Sequence, residues 1–277
     1  EKCKGPHFPL VLSNVFSAKD GKPLYPPWRV LERTFHANTP DGAKSDVTLR
    51  IGLLGFTPPG IMAWDKRNLD GKVTGRGVVE AAQKYLPELR NAGADIVVAI
   101  VHGGIDTSPY RSTGTENAAW HLAGVAGIDA MLLGHSHAIF PSPADAKSRY
   151  AHLPDVDNER GFVRGVPAVM GNYYGKNIGL IDLALVYRDG RWQVDRAATH
   201  SEVRSVKNAD GEDSPATAKR DMQEMYARWL TAAGTKVPRK ADGSLDCMLE
   251  ISPLTSLEGE NLAGKAPREI ASGAKVI

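Results

Sequence analysis

The chain has 277 residues, 42% of them hydrophobic and 24% charged, the balance of a globular protein able to bury a sizeable core in one large domain or two small ones. A formal net charge of +2, with no Lys/Arg block, argues against a nucleic-acid polymer or a membrane surface as partner. Two cysteines, Cys3 and Cys247, neither frame a disulfide scaffold nor match a zinc spacing, and no apolar run approaches the roughly 20 residues of a membrane span.

The opening "EKCKGPHFP" has no apolar signal core and no initiator methionine, and the chain is expected to begin inside a longer gene product. "PLVLSNVF" (Pro9–Phe16) reads as a short strand, followed by the Pro-rich loop "GKPLYPPW" ending near Trp28. "RVLERTF" alternates weakly as a further strand. "DVTLRIGLLGFTPPG" (Asp46–Gly60) is a stronger one, stopped by Pro58, Pro59 and Gly60. "GRGVVEAAQKYLPELRNAG" (Gly75–Gly93) carries Val78, Ala81, Ala82, Tyr85 and Leu89 at helical spacing, with Gly93 at the stop position. A fully apolar strand, Ile96–Val101, follows directly, which is the grammar of a sheet covered by helices. "GTENAAWHLAGVAG" (Gly114–Gly127) is expected to form a second helix. "IDAMLLGHSH" forms a second apolar strand, "VPAVMGN" a third, and "IGLIDLALVYRDGRWQV" a hairpin turning at Asp189 and Gly190. Beyond Ser205 a polar, Pro-containing linker leads into a helix with Met222, Met225, Tyr226 and Trp229 on one face, ending at Gly234.

Two strand exits carry histidine: His102 after "IVVAIV", and His135 with His137 after "DAMLL". In sheets of this kind, ligands bind outside the carboxyl ends of the strands, so the three imidazoles are expected to share one crevice. Neutral imidazole suits borderline divalent metals, and Gly103, Gly104 and Gly134 let backbone approach an ion or phosphate closely. Three histidines alone suit a mononuclear zinc site with an open position. A two-metal site needs a bridging carboxylate as well. Asp65, Asp70, Asp106 and Glu116 are the acids at hand, Asp70 reading as a turn residue and Asp106 as a group acting on a ligand from behind. His7, His36, His121, His152 and His200 are read as packing or hydrogen-bonding residues.

The stretches "FPLVLSNVF", "IGLLGFTPPGIMAWDKRNLDGKVT", "KYLPELRNAGADIVVAIVHGG", "GIDAMLLGHSHAIFP" and "RGVPAVMGNYYGKNIGLIDLAL" resemble the second half of a calcineurin-like metallophosphoesterase domain. Within that superfamily, "WDKRNLDGKV" and "GHSHAIFP" point to the branch of the 2',3'-cyclic-nucleotide 2'-phosphodiesterases/3'-nucleotidases. The resemblance spans about residues 6–204. It implies an α/β fold, part of a metallophosphoesterase-type β-sandwich with flanking helices, and hydrolysis of nucleotide or cyclic-nucleotide phosphate esters. It also implies two divalent ions (Mn, Zn, Mg or Co) and a periplasmic location. His102 and His135 would bind one ion and His137 the other. The family's Asp-x-His, Gly-Asp and Gly-Asn-His-Glu motifs, its catalytic histidine and its nucleotide-binding domain find no match in this chain, so no catalytic residue is assigned. The N-terminal half of the catalytic domain is expected to lie outside it.

Residues 206–277, with "EISPLTSLEGENLAGK", resemble instead the C-terminal region of UDP-N-acetylhexosamine pyrophosphorylases. The expected organisation is a partial phosphoesterase domain over 1–205 and a small α+β tail of separate origin over 206–277. Three functions compete on this reading: metal-assisted phosphoester hydrolysis, an inactive metal-binding fragment or fusion, and part of a nucleotide-sugar pyrophosphorylase.

Overall fold

The structure, a computed structural model, describes residues 9–38, 44–145, 147–188, 191–206 and 241. The chain divides into two units, Leu10–Arg204 and a second made of Glu1–Pro9 with Ser205–Ile277. Almost all of the second unit lies outside the described residues. So do the helix expected around residues 222–230 and the stretches that resemble a pyrophosphorylase.

In chain order, the first unit opens with β1 (Val15–Ser17), β2 (Trp28–Asn38) and β3 (Lys44–Phe56), then two single-turn helices, α1 (Ile61–Trp64) and α2 (Lys66–Leu69). There follow β4 (Val73–Gly75), α3 (Val78–Asn91), β5 (Ile96–Val101), α4 (Ala119–Leu122) and β6 (Ala130–Leu133). The remainder is β-structure: β7 (Ile139–Phe140), β8 (Val156–Asp157), β9 (Phe162–Val163), β10 (Val166–Gly171), β11 (Asn177–Asp182), β12 (Leu185–Arg188), β13 (Arg191–Val194) and β14 (His200–Ser205).

Among the described residues, eight strands form the main sheet, in the order β2-β3-β5-β6-β10-β9-β8, with β7 also paired to β10. The four central strands run parallel, β3 with β5, β5 with β6, and β6 with β10. β2 adds an antiparallel edge, in register from Trp28 opposite Leu54 to Asn38 opposite Lys44. Three two-stranded pairs complete the unit: β1–β4, β11–β14 and β12–β13. The mixed α/β class expected from the sequence is thus present, with one large sheet and few helices.

The parallel strands are apolar because helix α3 covers them. Val78, Ala81, Ala82, Tyr85, Leu86 and Leu89 on that helix are all buried. They pack with Leu54, Val97, Ala99, Val101 and Met131 of the sheet in one cluster. Gly52 makes the approach possible, since a Cβ there would stand 2.7 Å from the Leu89 side chain and 2.9 Å from that of Ala94. On the opposite face, Ile100 and its register partner Leu132 stay 44% and 40% exposed. Leu89 is fully buried, so Leu89→Ala is expected to cost about 2–5 kcal/mol, measured as a lowered urea midpoint at unchanged slope.

Both ends of α3 are fixed by residues remote in sequence. Gly77 at the start offers no side-chain cap. The Tyr110 hydroxyl takes that place, accepting the Val79 N–H at 3.2 Å and donating to Glu80 at 2.6 Å. Burial first, then the Glu80 carboxylate, raises the Tyr110 pKa, so the phenol stays a donor. At the far end Gly93 takes φ +87° and closes the helix. Arg90 then reaches the carbonyls of Asp95 and Gly127 and, at 2.6 Å, the Asp129 carboxylate. Asp129 in turn accepts the Val97 N–H at 2.7 Å. One guanidinium thereby aligns the starts of β5 and β6, and with them their ends.

Three expected elements differ. Pro9–Phe16 is not one strand: only Val15 and Phe16 lie in β1. Residues before it follow the sheet irregularly, with the Ser13 hydroxyl donating to the Pro27 carbonyl and the Asn14 amide bridging Thr57 and Arg76. These polar side chains take backbone groups that a strand ladder would otherwise satisfy. The helix expected over Gly114–Gly127 shrinks to the single turn α4. Asn117 turns its side chain to the Gly104 N–H at 2.8 Å, and Ala118 bridges to Ile105. Gly124 and Gly127 further weaken any helix there. The expected hairpin forms only in part: β12 and β13 pair in register up to Arg188 opposite Arg191, with the turn residues 189–190 outside the described residues, whereas the start of its first arm is a separate strand, β11, that pairs with β14.

Candidate metal centre

Parallel pairing places Val101 opposite Leu133. His102 continues β5, donating its N–H to the Phe56 carbonyl at 2.9 Å, and Gly134 continues β6. His135 comes next, with φ +68°, and His137 follows with φ +49°. The left-handed region is strained for both residues. That backbone turns the His135 ring back toward β5. Its Nδ1 comes to 3.2 Å from His102 Nε2, with ring centroids 4.9 Å apart.

The two loops are tightly laced. Gly134 donates to the Gly103 carbonyl at 3.3 Å, and Ser136 sits against Gly104, where a Cβ would stand 2.8 Å from Ser136 Cβ. Ser136 also touches Tyr150 and Met170 through its hydroxyl. Gly104 is therefore needed for closeness between the two loops.

One face and both ring nitrogens of His135 are engaged. Trp64, at the end of α1 after β3, stacks on it at 5.2 Å and 15°. Its Nε2 hydrogen-bonds Glu116 at short range. His137 lies against Tyr173, in the loop after β10, at 4.9 Å. Tyr173 meets Tyr174, which is 81% exposed and itself at φ +54°. The loops after all four parallel strands thus meet at one end of the sheet.

Burial first, then the nearby imidazoles of His135 and His137, lowers the His102 pKa, which favours the neutral ring that ligates metal. Two nitrogens each bound at about 2.0–2.1 Å to one ion stand roughly 3–3.4 Å apart for cis to tetrahedral angles. The His102–His135 nitrogens at 3.2 Å fit a shared ion on this measure. Among the described residues, no group of three or more His, Cys, Asp or Glu side chains is gathered to hold a metal. The structure therefore brings His102 and His135 together as a pair and sets His137 beside it against Tyr173.

Asp106 does not act behind His102. Its carboxylate accepts the Ser108 N–H at 2.8 Å, and Ser108 holds its pKa below the usual range. Glu116, one of the four acids at hand, is the carboxylate that reaches an imidazole. Asp70 ends α2 before a turn at Gly71, as expected. His121 bonds the Ser108 carbonyl at 2.8 Å and packs on Tyr110 and Trp120. Trp64 and Tyr173 escaped the sequence reading, although both follow a parallel strand at the edge where ligands bind. A cleft of about 420 Å³ lined by Asp155, Asp157, Arg160, Phe162 and Arg196 involves none of the three histidines.

No protein-family model matches the chain. Over 210 residues it is 41% identical to the 2',3'-cyclic-nucleotide 2'-phosphodiesterase/3'-nucleotidase of Salmonella typhimurium, an alignment covering 76% of this chain and 31% of that protein. The enzyme of the same name from Haemophilus influenzae is 44% identical over 194 residues, covering 70% and 28%. The crystal structure of the calcineurin-like phosphoesterase YfkN from Bacillus subtilis superposes with a TM-score of 0.67 at 34% identity, over 84% of this chain and 66% of that one. The chain belongs to the calcineurin-like phosphoesterase family. It spans about a third of the length of these two curated relatives. Among the described residues, no helix is long and apolar enough to cross a membrane.

Proposed function

We propose that this chain supplies His102, His135 and His137 to a two-metal site that hydrolyses phosphate esters of nucleotides, with 2',3'-cyclic nucleotides as the substrate class and the periplasm as the setting. The observation that carries this reading is the 3.2 Å approach of His102 Nε2 to His135 Nδ1 at the ends of adjacent parallel strands. The names of the relatives supply the substrate class. On this reading His102 and His135 hold one divalent ion (Mn, Zn, Mg or Co) and His137 contributes to a second. Such ions supply Lewis-acid stabilisation of phosphate charge and a nucleophilic hydroxide. The chain's own residues do the positioning. The loop glycines let the imidazoles converge, Trp64 shields one face of His135 from water, and Tyr173 packs against the exposed His137 ring. The remaining ligands, a bridging carboxylate among them, are assigned to the part of the relatives' length that this chain does not span.

The test is calorimetric titration of the purified chain with Mn²⁺, followed by assay on 2',3'-cyclic AMP. Saturable binding is expected. Turnover is expected to fall at least about 100-fold below the ordinary 1–1000 per second, because an incomplete site leaves the reacting groups out of register. Absence of binding at millimolar Mn²⁺ would remove the metal assignment. Turnover at ordinary rates would show that the ligand set is complete within this chain.

A further inference from the structure

We propose that Glu116 is a positioning residue for His135: its carboxylate accepts a hydrogen bond from the Nε2–H and so leaves the Nδ1 lone pair facing His102. An ionised carboxylate only accepts hydrogen bonds. The ring nitrogen that faces Glu116 is His135 Nε2, so that nitrogen carries the hydrogen. A neutral imidazole has one N–H, which leaves Nδ1 as the acceptor, and Nδ1 faces His102 Nε2 at 3.2 Å. The ring cannot swing away, because Trp64 stacks on its face within 15° of parallel and its side chain is only 19% exposed.

The carboxylate is delivered with equal definition. Glu116 precedes Asn117, whose side chain holds the Gly104 N–H, and a Cβ on Gly103 would stand 3.3 Å from the Glu116 carbonyl oxygen. The loop after β5 thus returns to its own starting point and presents Glu116 to a histidine on the neighbouring strand exit. Carboxylate partners of this kind fix the tautomer of ligating histidines and raise their basicity, and their loss costs about 10–100-fold in metal affinity. The consequence for metal rests on the function proposed above, whereas the tautomer stands on the geometry alone.

The deciding measurement is the long-range proton–nitrogen correlation spectrum of the histidine rings in the metal-free chain, at about pH 8 where imidazoles are neutral. His135→Asn identifies the His135 signals. The wild-type chain is expected to show His135 protonated at Nε2. Glu116→Ala is expected to move it to a mixture with the Nδ1–H form, while Glu116→Gln, whose amide oxygen still accepts, keeps it at Nε2. His121 signals, unchanged, report intact folding. In parallel, Mn²⁺ affinity is expected to fall about 10–100-fold in Glu116→Ala and less in Glu116→Gln. A wild-type His135 protonated at Nδ1 overturns the proposal without any variant, as does an unchanged tautomer in a folded Glu116→Ala. A tautomer shift in a chain that binds no Mn²⁺ upholds the role of Glu116 and removes the metal reading, so the two failures are told apart.

Discussion

His135→Ala is expected to weaken Mn²⁺ or Zn²⁺ binding by more than about 100-fold, beyond the range seen when only a supporting partner of a ligand is lost. The reason is that His135 is the hub of the centre. One of its nitrogens faces His102, the other engages Glu116, and its face is covered by Trp64. Its removal deletes a ligand, frees the tryptophan and leaves Glu116 without its partner. His102→Ala should approach the same loss, since the pair closes on a single point. His121→Ala provides the contrast: that ring bonds the Ser108 carbonyl and packs on Tyr110 and Trp120, and its loss should leave the isotherm unchanged. Calorimetric titration of the four proteins decides the matter. Equal affinities in wild type and His135→Ala would place any bound metal elsewhere.

Gly104→Ala is expected to damage both stability and the centre through one added methyl group. That carbon would lie 2.8 Å from Ser136 Cβ and 2.9 Å from Asn117 Oδ1. Neither neighbour yields cheaply. Ser136 is flanked by two residues at positive φ, and Asn117 holds the Gly104 N–H. Relief must therefore come from separating the loops that follow β5 and β6. Overpacking of this kind costs about 1–3 kcal/mol, which corresponds to a melting temperature lower by roughly 2–12 °C. The same separation pulls His102 and His135 apart, so metal affinity should fall along with the melting temperature. A variant that melts with the wild type and binds Mn²⁺ equally well would show that the loops are not as tightly laced as their geometry implies.

The parallel strands were legible because burial on a sheet leaves a compositional trace. Ile96–Val101 is apolar throughout and coincides with β5, and "DAMLL" contains β6. The amphipathic spacing around Val78–Leu89 marked α3 for the same reason. Where local sequence misled, side chains serve distant partners. Asn117 sits inside an apparent helix yet secures Gly104, and Ser13 and Asn14 sit inside an apparent strand yet bridge three other segments. The two-residue strands β7, β8 and β9 are too short to carry a period at all. At the centre, the histidines announced themselves by standing after two apolar strands. Trp64 did not, and Glu116 was only one of four acids at hand, because their importance depends on loops after β3 and β5 folding back over the exit of β6. That is a property of the assembled sheet, absent from any local window.

The left-handed backbone at His135 and His137, repeated at Asn172 and Tyr174 across the same end of the sheet, sets stability against chemistry. A residue with a Cβ held there costs about 1–3 kcal/mol relative to a relaxed conformation. Glycine would relieve that cost at each position, and asparagine much of it, with no help from the surroundings. Selection for thermal robustness alone would therefore erase the imidazoles before it touched the strands beneath them. A thermostabilised descendant of this chain is best drawn from the sheet and α3, with this rim kept in its strained form.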